Sequence, residues 1–77
     1  MVMKVTRAKD NRFVISPLDK PDYQVKGLDE LFKALNEHGY NDETIEDAYA
    51  CLMNMQHDII HLGLVNKSFL FTEKIKK

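Results

Sequence analysis

The residues best able to do chemistry are two histidines in the stretch HDIIH, His57 and His61. Imidazoles four residues apart share one face of an α-helix, where they can hold a zinc ion together. A metalloprotease helix would also need glutamate directly after the first histidine, as general base on a bound water. That position is Asp58, one methylene shorter. No third ligand stands near the pair: His38 belongs to another helical segment and Cys51 points elsewhere. The simpler expectation is two surface histidines near a helix C-terminus, where the dipole favours cations. His57 and His61 are thus only weak metal candidates, and no cofactor is expected.

Cys51 could act as a nucleophile if a histidine drew off its proton. At helical spacing it lies roughly 120° from His57, so a partly buried structural thiol is expected. Gly27, Gly39 and Gly63 stand singly, each with a turn or cap to explain it, so no glycine-rich phosphate loop exists. Met53 and Met55 read as core filler. No catalytic set emerges, and the chain reads as non-enzymatic.

The elements that must position these residues follow from periodicity. In VMKVTRAK, Met3 and Val5 alternate with Lys4 and Thr6. KDNR is a turn signal, and RFVIS is a second strand with Phe13 and Ile15 in phase. Pro17 and Pro21 enclose a loop, after which DYQVK can form a short third strand. Leu28, Leu31, Phe32 and Leu35 then make a helical stripe, closed by Gly39 with Tyr40 packing back on Leu35. Asn41 caps a second helix, whose stripe of Ile45, Ala48, Tyr49, Leu52, Met55, Ile59 and Ile60 is expected to end at Gly63. Gln56 is the one polar residue inside that stripe. NKSFLFTEKIKK closes the order as a strand with Phe69 and Phe71 facing the core.

The expected fold is a two-layer α+β domain of order β-β-(β)-α-α-β. A small antiparallel sheet of three or four strands carries both helices on one face, and the last strand lies beside the first. The 77 residues fit one domain, 1–77, whose stability is marginal for its size.

One cysteine and four methionines fit a reducing cytoplasm. Neither a signal-peptide core nor a membrane-length apolar run is present, so a soluble cytoplasmic protein is expected. The net charge of −1 hides an uneven layout. Residues 1–26 and 64–77 are basic, whereas 27–63 carry eight acids against Lys33 alone.

Alternation places Lys4, Thr6, Arg12, Val14, Lys26, Leu70, Thr72 and Lys74 on the sheet face away from the helices. Cations around a few aliphatic side chains suit a protein interface, although lysines also simply solubilise a sheet. Glu43, Glu46, Asp47 and Asp58 make the long helix an acidic surface, which could meet a basic protein or mimic nucleic acid. Part of that charge is ordinary acid enrichment at helix N-termini. The leading expectation is a regulatory module that binds a larger intracellular protein, of a size that would suit a viral or mobile-element accessory protein. A nucleic-acid-binding domain using the basic face comes second, and a histidine-metal protein a remote third. A homodimer would fit the small core and exposed Val14 and Leu70, and no membrane partner is expected.

Overall fold

The alternation in VMKVTR turns Met3 and Val5 inward along strand β1 (Val2–Arg7). In the computed structural model, residues 2–65, 67 and 69–74 are described, without the side chains of Val2 and Phe71. Asp10 and Asn11, both at positive φ, turn the chain into β2 (Arg12–Ser16). Their short polar side chains tolerate that conformation. After the proline loop, β3 (Tyr23–Lys26) pairs antiparallel with β2.

Helix α1 (Gly27–Glu37) follows at once and buries Leu31, Ala34 and Leu35. It ends in a Schellman turn: Gly39 N–H donates to the Asn36 carbonyl at 2.9 Å and Tyr40 N–H to the Leu35 carbonyl at 3.1 Å. Gly39 has φ 96°, which glycine reaches without a Cβ clash. Helix α2 (Asp42–Met53) is capped by Asn41, whose side-chain oxygen accepts from Thr44 N–H at 2.8 Å. It buries Ile45, Ala48 and Leu52.

The second half departs from the helical expectation. Helix α2 stops at Met53, Met55 is 60% exposed and Gln56 has φ 56°. Ile59–Gly63 is not helix but strand β4, antiparallel to β1. Gly63 therefore ends a strand. The last strand, β5 (Phe69–Glu73), pairs with β4 rather than with β1. Residues 66, 68 and 75–77 of the expected last segment lie outside the described residues, as does the Phe71 side chain.

The result is a two-layer α+β fold with a small antiparallel sheet in the order β3-β2-β1-β4-β5. That is one more strand than the upper expectation. Met3, Val5, Phe13, Ile15, Val25, Ile60 and Leu62 from the sheet meet the buried residues of both helices in one core. Each such large side chain contributes roughly 1.5–3 kcal/mol by leaving water. Among the described residues, no helix is long and apolar enough to cross a membrane.

Candidate functional site: the uncovered sheet face

Because both helices lie on one side, the other face of the sheet has no covering helix among the described residues. The pairing register shows what it presents. One row across all five strands reads Gln24, Val14, Thr6, Ile59 and Glu73. A second row reads Ser16, Lys4 and His61, and Arg12 stands opposite Lys26 at one end. Val14, Thr6 and Ile59 are half-buried in the centre, while Lys4, Arg12, Gln24 and Lys26 are exposed. The face thus has a small apolar middle, with three cations around it and the exposed Glu73 carboxylate at its β5 end.

Several residues expected on this face are placed otherwise. A bulge between His61 and Leu62 shifts the β5 register, so Thr72 stands opposite Ile60 and belongs to the helix side. Its hydroxyl bonds His57 Nδ1 at 3.0 Å. Leu70 lies in the bulge and is 46% exposed, and Lys74 follows the strand, also exposed. Phe71 takes the register position opposite His61 instead of the core phase. Lys4, Thr6, Arg12, Val14 and Lys26 occupy the face as expected.

The histidine pair is divided by the sheet. His57 lies in the turn before β4, bonded on the helix side to Thr72. His61 is on the opposite face, only 8% exposed, with Nε2 3.0 Å from a Glu73 carboxylate oxygen. The expectation of two surface histidines on one helix face fails, because that segment is a strand. The two rings therefore lie towards opposite faces of the sheet, each with its own partner. Among the described residues, no group of three or more His, Cys, Asp or Glu is arranged for a metal. Cys51 is half-buried against the core.

The acidic surface changes in one member. Glu43, Glu46 and Asp47 are exposed on α2, joined by Asp42. Asp58 is not on the helix: it precedes β4, and its carboxylate meets Arg7 at 3.1 Å. Ile59, Gln24, His61 and Glu73 are members of the sheet face that periodicity alone did not reveal. The β-branched pair Ile59–Ile60 and the polar Gln56 were the signals available. No protein-family model matches the chain, and neither does any curated protein or solved structure compared with it.

Proposed function

We propose that the chain is a non-enzymatic interaction module that binds a larger intracellular protein through its uncovered sheet face. The supporting observation is the Val14–Thr6–Ile59 row set among Lys4, Arg12 and Lys26. An apolar centre with a charged rim is the usual anatomy of a protein interface. The partner is a different protein with acids around its own apolar patch. Two copies laid face to face would bring like cations together, which opposes association.

Nucleic acid fits less well. Single-strand readers stack bases on several exposed aromatics, whereas among the described rows of this face the register brings in only the position of Phe71, opposite His61. Tyr23 stands opposite Ile15, on the helix side.

The test is capture from nuclease-treated host lysate on immobilised protein, using wild type, Val14→Glu and Glu46→Lys. Each variant is first checked for an unchanged circular dichroism spectrum. The same protein should be retained by wild type and Glu46→Lys and lost from Val14→Glu. Retention by all three would remove the sheet face from the interface.

A further inference from the structure

Strand β3 forms one edge of the sheet, and its backbone bonding can be deduced from the register. Arg12 stands opposite Lys26 and Phe13 opposite Val25, and Gly27 N–H donates to the Asn11 carbonyl at 2.8 Å in the same ladder. Bonded and non-bonded pairs alternate in an antiparallel ladder. Tyr23, Val25 and Gly27 therefore turn their backbone groups towards β2, while Gln24 and Lys26 turn theirs outward. Lys26 N–H is already taken by the Glu30 carboxylate at 3.0 Å. Among the described residues, what stays open is the N–H and carbonyl of Gln24, an exposed residue.

An open groove of about 320 Å³ runs beside this edge on the helix side. Val25 and Ala34 form its floor, and Tyr23, Glu30, Lys33 and Glu37 line it. We propose that edge and groove together bind an extended segment of another protein, added antiparallel to β3, with an aliphatic residue and then, two positions later, a basic one facing the groove.

The alternation of side chains in a strand sets that pattern. A residue exchanging two bonds with Gln24 points its own side chain to the uncovered face. Its two neighbours then point into the groove. The neighbour opposite Val25 meets Val25 and Ala34, both nearly buried apolar side chains, and an aliphatic residue matches them. The neighbour opposite Tyr23 meets a ring that is 38% exposed and the nearby Glu37 carboxylate. Glu37 shares the groove lining with Tyr23, whose hydroxyl is bonded to His38 Nε2 at 3.1 Å and whose ring stacks on that imidazole, so one ring face is left for the groove. A lysine or arginine there lays its stem on the ring and its charge beside Glu37. Glu30 and Glu37 outnumber Lys33 in the lining, so a cation is favoured over an anion. One bonding pair and a shallow groove make the contact weak and reversible. This surface lies on the other side of the sheet from Val14 and Ile59, so it stands or falls independently of the function proposed above.

The probe is the capped peptide acetyl-Thr-Val-Thr-Arg-Thr-amide, titrated into isotopically labelled protein and followed by amide and methyl shifts. Gln24, Val25 and Ala34 should move, with Ile59, separated from β3 by two strands, still. N-methylating the central threonine removes the donor aimed at Gln24 and should weaken binding about five- to tenfold, the worth of one hydrogen bond. N-methylating the valine, whose N–H points away from β3, should change affinity less than about twofold. Glu37→Lys should weaken the arginine peptide and leave a version with glutamine in its place unaffected. No shift at millimolar peptide, or equal losses from both N-methyl peptides, would overturn the proposal. So would concentration-dependent self-association of the free protein abolished by Glu37→Lys, which would make a second copy the occupant.

Discussion

The Tyr40 hydroxyl donates to the carbonyl of Gly63 at 2.9 Å, tying the turn between the helices to the end of β4. Tyr40 is buried and belongs to the core, and Gly63 is buried with it. Lys67 adds its ammonium 5.2 Å from the centre of the same ring. The chain thereby joins a helix cap to a strand 23 residues later.

Burial raises the Tyr40 pKa above its ordinary value. The folded chain then holds the phenolic proton more tightly than the unfolded chain, whose tyrosine titrates near about pH 10. This contribution to stability is complete below that pH and is lost as pH rises through the folded value. Tyr40→Phe should cost about 0.5–1.5 kcal/mol near neutrality, through the Gly63 carbonyl left without its donor. It should also shrink the alkaline loss, with the remainder due to Tyr23, which is raised in the same direction. Urea unfolding of both proteins at neutral and alkaline pH measures this. An alkaline loss of the same size in wild type and variant would show that Tyr40 is not its source.

Arg7 fastens the same region from the other end. Its guanidinium donates to the Leu52 carbonyl and to the Asp58 carboxylate, each at 3.1 Å, while its N–H donates to the Asp58 carbonyl at 2.8 Å. The Leu52 carbonyl belongs to the last turn of α2, where carbonyls lack helical partners and a cation is favoured. Arg7→Ala should cost about 1–2 kcal/mol, reduced from a fully buried pair because both side chains are partly exposed. Lysine should recover less than half, since a single ammonium cannot span both acceptors. A double-mutant cycle with Asp58→Asn should give a coupling of about 0.5–1 kcal/mol. No coupling would mean that Arg7 acts through Leu52 alone.

The first half was legible because each of its elements carries a complete local signature. Met3, Val5, Phe13 and Ile15 alternate in phase, Gly39 closes α1 and Asn41 caps α2. The second half misled because Met55, Ile59 and Ile60 happen to continue the helical spacing of Leu52. Gln56 broke that stripe, and the chain does turn there, at φ 56°. The remaining run IIHLG is five residues long, too short for periodicity to separate strand from helix. Losing that strand misplaced both histidines and the partner of β5. The bulge that moves Thr72 to the helix side has no marker in the sequence. Alternation along β1, β2 and β3 put Lys4, Thr6, Arg12, Val14 and Lys26 on the face where the register has them but left out Ser16 and Gln24, and the β4 and β5 portion was lost with the missed strand.

Zinc provides a direct check on the separated histidines. His57 is engaged with Thr72 on the helix side and His61 with Glu73 on the opposite face. One ion would have to draw both rings from their partners and through the sheet. Equimolar zinc should therefore leave the melting temperature unchanged, because a ligand stabilises only in proportion to its affinity for the folded state. A rise of several degrees that disappears in His57→Ala would require a rearranged β4.

The last prediction separates protein from nucleic acid on the uncovered face. If a protein binds there, the half-buried centre should dominate, since buried anchors carry interface energy and rim charges mostly tune association rates. Once the captured partner is purified, Ile59→Ala should weaken it more than Lys26→Ala does. If the ligand is nucleic acid, the order reverses. Lys4, Arg12 and Lys26 would each neutralise a phosphate, and three such contacts imply a log–log salt slope of roughly −3 on duplex DNA. The measurement is fluorescence anisotropy of a mixed-sequence duplex oligonucleotide across a salt series, repeated with Lys26→Ala. Protein recognition predicts no binding at about 150 mM salt and no defined slope. Micromolar binding with that slope, reduced by roughly one unit in Lys26→Ala, would transfer the face to nucleic acid. The acidic exposed residues of α2, Asp42, Glu43, Glu46 and Asp47, would then repel the same phosphates from the other side of the molecule. Their long-range repulsion is screened beyond about 8 Å at physiological salt, so it should show only at the low-salt end, as curvature in the plot.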